Sequence, residues 1–587
     1  MIAWFDPAET LAEKIRETAS ALEAFDASFE PDVRPADPRF GDYQANGVLP
    51  YAKRQRTNPR ALGQALMDAL QADHSFAAAG ISLELAGPGF INFKFSNAAL
   101  SKWIETYREG HAFAKAAGTL KAGQKIVVDY SSPNTAKEMH VGHIRSTVIG
   151  DAITRILRYA GAEVLSDNHI GDWGTQFGMI IWAIKDRGFN LDAEHSDVIA
   201  DLEALYKEGN AAYKSSEETA QEVRQELVKL QAGDPENLAI WQKITDLSWA
   251  AFDKIYQQFG ISFDLVLGES FYRDKVDFIY QELERTGLSE ESEGAQVVFH
   301  PEHKRFKKQP FIIRKADGAS NYATTDLATI YHRTHQLNVQ ESIYVVDSRQ
   351  SDHFEQLFLT ARKWYEHENW EVPRLKHVSF GTILGEDGKP LKTKEGTSVK
   401  LKELLAEAIE RSEKIVSEKN PGLPEEERKH IAPVVGINAV RYVDLSQNRA
   451  SDYLFSWDKL LSFEGNTAPY LLYAAARIQS IFRKLRIEPG EGESGASTLE
   501  TETELTLARK LMGFMDAFKQ TLSDLRPHFM CSYLYELAGA FSSFYNADKV
   551  QVDDPGMKAR RLALCNRTLT VMTIGFDLLG IPVLKRM

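Results

Sequence analysis

The stretch from Lys125 to Ser166 does more than any other to limit what this chain can fold into. Lys125 to Tyr130 is an apolar run of strand length, and DYSSPNTAKEMHVGHIRSTVIG starts at its end, from Asp129. Ile144, Val148, Ile149, Ala152, Ile153, Ile156, Leu157 and Ala160 then recur at helical spacing; Gly161 supplies a stop, and Ala162 to Ser166 can form a second strand. The pattern predicts a strand–loop–helix–strand unit whose loop ends at a helix N-terminus, where free N–H groups and the helix dipole favour a phosphate. His140 and His143 flank Gly142 at that point. The glycine lets the backbone approach a ligand closely, and the imidazoles supply donors. Nucleotide binding is the reading this favours. A metal pair at i,i+3 is a competing reading, but no further ligands lie at suitable spacing; a purely structural role is the other.

With 587 residues the chain has room for several domains, and its 43% hydrophobic and 26% charged fractions are those of ordinary globular protein. No apolar run approaches the length of a membrane span, so no membrane partner is expected. The N-terminus reads as a mixed-charge amphipathic helix without the pattern of a signal peptide, which points to a cytoplasmic protein. Cys531 and Cys565 lie in apolar, helix-like segments and are expected to be reduced core thiols. No cysteine cluster suggests zinc, and no protein-bound metal is expected. The net charge of −14 argues mildly against a nucleic-acid partner, yet phosphate contacts need only a local basic surface. Arg54 and Arg56, Lys307 and Lys308, Arg483 and Lys484, and Arg560 and Arg561 belong to candidate basic clusters; taken singly each reads as a solvated face before a binding site, while several in one chain favour at least some tracking a nucleic-acid backbone.

Residues 1–112 read as an α/β unit, with ISLELAGPGFINFKF from Ile81 as paired strands around a Gly-Pro-Gly turn. The nucleotide fold is expected over 113–400, interrupted by a charged, largely helical insertion at about 179–310. It resumes with PFIIRK from Pro310 and SIYVVDSRQ from Ser342, both expected as parallel strands of the main sheet. A connecting helical segment over 401–462 and a helical region over 463–587 follow. EPGEGESGASTLETE, from Glu488, is acidic and poor in large apolar residues, and is expected to be a surface loop.

The segment around His140 also resembles the His-x-Gly-His signature of class I aminoacyl-tRNA synthetases, in the form found in arginyl-tRNA synthetases. SSPN before it, RST after it and NHIGDWGTQFG from Asn168 are part of that resemblance. The resemblance implies an α/β fold: a Rossmann-like parallel-sheet catalytic domain with an N-terminal α/β domain and a C-terminal α-helical bundle. It implies ATP as a substrate with Mg2+, L-arginine and tRNA(Arg) as partners, a requirement for bound tRNA before arginine is activated, and a monomer. The expected catalytic residues are His140 and His143, with Lys137, Lys392 and Lys394. These lysines come from the departure of GEDGKPLKTKEGTSVKL from the usual Lys-Met-Ser-Lys signature, for which a lysine before the first signature is thought to compensate. His140, Gly142, His143, Phe380 and Gly381 are implied in ATP binding.

A guanidinium is planar, always charged and carries five donors in a fixed fork, so a site for it needs carboxylates and in-plane acceptors. The resemblance assigns this to Asp129, Tyr322, Asp326 and Gln350, with Ser132 and Asn134 on the substrate backbone. For tRNA it implies Phe90 and Asn92 in the N-terminal domain, and Arg441, Tyr473 and Arg477 towards the C-terminus. Phe90 could equally be a core residue, Trp173 is expected to pack, and Gln176 stays open. Three rivals remain: a class I synthetase of another specificity, disfavoured by the lack of zinc ligands; a small nucleotidyltransferase, which has no need of the flanking domains; and a non-catalytic tRNA-binding paralogue, which the presence of His140, His143 and Asn134 disfavours.

Overall fold

The computed structural model describes residues 4–316, 322–392 and 398–587, which divide into two compact units: 1–120 with 462–587, and 121–461. In the second unit the expected parallel sheet is present. Its strands run in the order Arg374–His377, Glu341–Tyr344, Lys125–Asp129, Glu163–Asp167, all parallel. From Lys125–Asp129 the chain crosses one way to Glu163–Asp167, and the later strands extend the sheet the other way. Asp129 therefore ends the strand at which the strand order reverses, the edge where ligands of such sheets bind. The Val141–Tyr159 helix makes the first crossover and is buried along almost its whole length, which explains its continuous apolar and small residues.

The expected insertion at about 179–310 is not helical throughout: four helices pack together as far as Phe259, while Glu290–Ser292 and Ala295–Val298 near its end are strands. The helices Gln176–Arg187, Val198–Ser215, Glu217–Gln231 and Pro235–Phe259 share a core that includes Phe177, Ile181, Leu202, Leu230 and Ile244. One expectation fails beyond it. Phe311–Arg314 is not in the parallel sheet; it pairs antiparallel with Ala295–Val298, which pairs in turn with Glu290–Ser292. The reason lies in its side chains: Phe311 and Ile313 are buried while Ile312 and Arg314 are exposed. That alternation suits a sheet with one wet face rather than a strand covered on both. After the sheet, Leu401–Lys419 and Glu425–Leu445 pack closely; a Cβ on Gly436 would lie 2.6 Å from the Ala408 carbonyl oxygen.

In the first unit a sheet of order Val33–Pro35, Tyr43–Ala45, Phe90–Phe95, Ile81–Ala86 is antiparallel throughout. Ile91, Phe93 and Phe95 face its core, while Phe90, Asn92 and Lys94 alternate onto the other face. The C-terminal helices include Ala468–Leu485, Glu502–Met512, His528–Ala547 and Pro555–Leu578. The acidic segment from Glu488 is more than a surface loop, because Glu493 and Leu499 are buried. Glu493 accepts from Arg567 Nη2 at 2.5 Å, and the same guanidinium donates to the carbonyls of Ile104 at 3.1 Å and Arg108 at 2.6 Å. One buried cation thus ties the N-terminal helices, the acidic loop and the last helix. Replacing Arg567 by Met strands the Glu493 carboxylate, and removing one partner of a buried pair costs about 3–5 kcal/mol. Urea unfolding of R567M should show a loss of that order, while E493Q, which removes the charge but keeps an acceptor, should lose less.

Candidate active site

The first signature is built as a reciprocal cap. His140 is the N-cap of the Val141–Tyr159 helix, and its Nδ1 accepts from the Gly142 N–H at 3.0 Å. His143, one turn in, reaches back, and its Nδ1 accepts from the His140 N–H at 3.0 Å. A neutral imidazole whose Nδ1 accepts must carry its proton on Nε2. Both rings therefore present an N–H donor on the side away from the backbone. The rings lie 4.0 Å apart, centroid to centroid. Burial, and then the neighbouring His140, push the His143 ring down to about 3, and partial burial with nearby Arg349 lowers His140. Both are neutral donors at pH 7.

The loop before the helix is held from several sides. Ser132 N–H donates to Asn168 Oδ1 at 3.0 Å. Gly171, in the NHIGDWG segment, passes so close that a Cβ there would lie 2.1 Å from Asn134 Oδ1. The later segment 398–402 docks on the same loop: Val141 N–H donates to Val399 O and Leu401 N–H to Met139 O, both at 2.9 Å. Glu138 pairs with the ammonium groups of Lys400 and Lys402. These two lysines are thus committed to the signature loop. Lys392 is exposed and bridges to Ser398, so the two arms of the second signature meet there; Lys394 lies outside the described residues. Lys137 places its ammonium 5.1 Å from the centroid of the Tyr206 ring.

Phe380 and Gly381 follow the Arg374–His377 strand. Phe380 is buried, and its carbonyl accepts from Ser348 N–H at 3.0 Å. Gly381 is required, since a Cβ would meet Asp452 Oδ1 at 2.5 Å. Its N–H donates to Arg449 O at 2.9 Å. Arg145, two residues after His143, is buried and organises this wall. Its guanidinium donates to Asp444 Oδ1 at 3.1 Å and to the carbonyls of Ser451 at 3.1 Å and Arg449 at 3.3 Å, between the rings of Phe380 and Tyr453. The sequence carries no local signal for this role, because the partners lie about 300 residues away.

The guanidinium candidates are arranged differently from one another. Asp129 is occupied: Oδ2 accepts from the chain's own Arg333 Nη2 at 2.7 Å and Oδ1 from Ser132 Oγ at 3.2 Å. Arg333 Nη2 is shared with Asp167, also at 2.7 Å. Two carboxylates around one cation leave this buried trio one negative charge in surplus. Asp326 is half-buried, with His353 Nε2 2.5 Å from its Oδ2. Glu269, which the sequence reading missed, is pushed up to about 8 by burial and then by Asp172 and Asp326. Tyr322, exposed at the start of its helix, is raised first by Glu269. Tyr322, Asp326 and Glu269 thus share one acidic wall. Gln350 is exposed at the N-cap of the Ser351–His367 helix. Its neighbour Arg349, also missed, pairs with Asp347 at 2.8 Å.

Two expected tRNA contacts are corrected. Arg441 is fully buried, donating to Phe259 O and lying 3.7 Å from Asp151, so it is an internal cation rather than an RNA contact. Asn92 is 3% exposed and its side-chain oxygen accepts from Gln44 Nε2 at 2.7 Å, so it is covered by its own sheet neighbours. Phe90 remains partly exposed on the same face. In the C-terminal helices Tyr473 is 40% exposed, and the Arg477 guanidinium lies 4.7 Å from its ring centroid and 5.6 Å from that of Tyr545. Among the described residues no group of three or more His, Cys, Asp or Glu could hold a metal ion, and no helix is long and apolar enough to cross a membrane.

A parallel sheet with an imidazole-capped helix after its first strand, and a second lysine-bearing loop docked on that cap, is the arrangement that the resemblance to class I aminoacyl-tRNA synthetases implies for a catalytic domain. Comparison with known proteins agrees and narrows it. Residues 112–457 match the family described as tRNA synthetases class I (R), catalytic domain; residues 9–95 match the arginyl tRNA synthetase N terminal domain and 471–587 the DALR anticodon binding domain. The arginine–tRNA ligase of Marinomonas sp. (strain MWYL1) is 43% identical over 98% of this chain and 99% of its own. That of Aliivibrio fischeri (strain MJ11) is 44% identical over 96% and 98%. Solved structures of arginyl-tRNA synthetases from Plasmodium falciparum (TM-score 0.83, 29% identity, 99% of both chains) and Thermus thermophilus (0.81, 25%, 99% of this chain and 100% of the other) superpose on it. The chain belongs to the arginyl-tRNA synthetase family.

The depressed His143 pKa has a thermodynamic consequence. Below pH 6.5 the unfolded ring takes up a proton that the folded ring refuses until about pH 3, so stability is lost as pH falls through that window. At pH 5.5 this amounts to about 1 kcal/mol. Urea denaturation at pH 7 and pH 5.5 should show wild type losing about that much more than H143N.

Proposed function

We infer that the protein is an arginine–tRNA ligase: it activates L-arginine with ATP and transfers it to the 3′ end of tRNA(Arg). The observation that carries the reading is the reciprocal imidazole cap, set at the sheet edge beside an acidic wall. In the first step an arginine carboxylate oxygen forms a bond to the α-phosphorus of ATP, the bond from that phosphorus to the bridging oxygen breaks, and pyrophosphate leaves. Charge concentrates on phosphate oxygens, and the Nε2–H groups of His140 and His143 are fixed donors for it, at the positive end of a helix. Gly142 leaves room for the phosphate chain. Lys137, Lys392 and Lys394 supply cations for the leaving pyrophosphate, and Mg2+ enters with ATP as part of the substrate. Phe380 and Gly381 form the adenine wall. In the second step the terminal ribose hydroxyl of the tRNA attacks the adenylate carbonyl, and AMP leaves.

The substrate guanidinium is the counter-charge for Asp326, with Glu269, Tyr322 and Gln350 as further hydrogen-bonding partners. Asp129, held by Arg333 and Ser132, contributes its surplus charge from beneath. Ser132 and Asn134 face the substrate backbone. Residues 1–112 serve the tRNA elbow through the face carrying Phe90, and 463–587 the anticodon arm through Tyr473 and Arg477. We place the protein in the cytoplasm, as a monomer.

ATP–pyrophosphate exchange tests this, run with arginine, lysine or cysteine, each with and without tRNA(Arg). Exchange should appear only with arginine and tRNA together. Exchange with arginine alone would remove the tRNA requirement; exchange with another amino acid, or none in a folded protein that binds tRNA, would overturn the assignment. D326N should raise KM for arginine by about 10²-fold, the cost of leaving a charged partner unpaired, with KM for ATP little changed.

A further inference from the structure

The loop from Ser131 to His140 is strained. Ser131, Ser132 and Ala136 hold φ values of 76°, 47° and 57°, a region that side-chain-bearing residues rarely adopt. Such a conformation persists only where the surroundings over-determine it, and here the helical insertion does much of this. Tyr256 and Ser248, two turns apart on one face of the Pro235–Phe259 helix, both reach the loop. The Tyr256 hydroxyl lies 2.8 Å from Ser131 Oγ and accepts from Asn168 Nδ2 at 3.0 Å. Ser248 Oγ accepts the Ala136 N–H at 2.9 Å while donating to Ile244 O at 2.7 Å, so both of its hydrogen-bonding roles are used. Ser248 has no exposed surface, and Ala136 is buried in the core of the insertion with Leu202 and Leu205.

Leu202 and Leu205 belong to the Val198–Ser215 helix, and so does Tyr206. Its ring is the surface over which the Lys137 ammonium sits, 5.1 Å from the centroid. An aromatic face holds a cation without neutralising it, so the ammonium remains available to a phosphate. The N-terminus of that helix is fixed as well: Asp197 caps it by accepting from Ala200 N–H at 3.2 Å and pairs with Lys402, which also pairs with Glu138. The residue before Lys137, the residue after it and its own side chain are therefore all held, directly or through Lys402, by the insertion.

We propose that the helical insertion braces the catalytic loop, with Tyr206 positioning the Lys137 ammonium and Ser248 fixing the turn that precedes it. The proposal rests on the reading of Lys137 as a catalytic cation. A flexible four-carbon side chain gains little from being near a reacting phosphate unless its direction is set, and the tyrosine face sets it. Tyr206 touches no substrate; it is a positioning residue.

The test uses the full-length enzyme in aminoacylation, with thermal unfolding measured in parallel. Y206L should lower kcat about tenfold with KM for arginine within twofold and an unchanged melting temperature, and Y206F, which keeps the ring, should restore wild-type kcat. S248A should lower kcat likewise. K137M should lower kcat by more, and Y206L should add nothing in the K137M background. Wild-type kcat in Y206L, or an undiminished effect of Y206L when Lys137 is absent, overturns the brace while leaving the catalytic reading of Lys137 intact. Wild-type activity of K137M removes that reading itself.

Discussion

The proposed active site depends on two hydrogen bonds in which imidazole nitrogens accept backbone N–H groups. A helix N-terminus leaves several amides without partners, and serine, threonine or aspartate usually supplies the acceptor. Here His140 Nδ1 takes the Gly142 amide and His143 Nδ1 takes the His140 amide. An acidic cap would repel the phosphate of ATP, and a hydroxyl could not project a donor far enough beyond the backbone. An imidazole satisfies the helix with one nitrogen and keeps an N–H on the other, the donor that the proposed phosphate site needs. The low proton affinity of His143 follows from its setting, and keeps the ring from exchanging this acceptor for a second donor.

A second constraint is charge balance under the sheet edge. Arg145 and Arg333 are both fully buried, and each joins segments far apart in sequence: Arg145 the first signature to Asp444 and the 449–451 segment, Arg333 the ends of two neighbouring strands. Arg145 is paired with one carboxylate, whereas Arg333 is shared between Asp129 and Asp167. That difference leaves a negative surplus near Asp326. A cationic substrate entering such a site is met by charge that the protein has not neutralised, whereas a neutral amino acid would leave it stranded.

What the sequence revealed and what it hid divide along range. The strand–loop–helix–strand unit was readable to within a residue, because Ile144, Val148, Ala152 and Ile156 mark one helical stripe and the strands on either side are short apolar runs. The histidine spacing implied donors at a helix start, though not that each ring would spend a nitrogen on the backbone. Phe311–Arg314 was misplaced because the position of a four-residue strand depends on which of its faces is covered, and that is decided by the Ala295–Val298 partner. Arg441 looked available to RNA as a cation on a helix, but it points into the protein, donating to Phe259 O 182 residues away. Asp129 could be chosen as a carboxylate at a strand end; that Arg333 already holds it depends on a contact across 204 residues. Local periodicity carries no information about such pairs.

The most direct test is the protonation state of the two rings, read by long-range ¹H–¹⁵N correlation on protein labelled at histidine, at pH 7. Both His140 and His143 should be neutral with the proton on Nε2, and His143 should remain so at pH 5. A proton on Nδ1 of either ring, or a doubly protonated His143 at pH 5, would contradict the reciprocal cap and the phosphate site built on it.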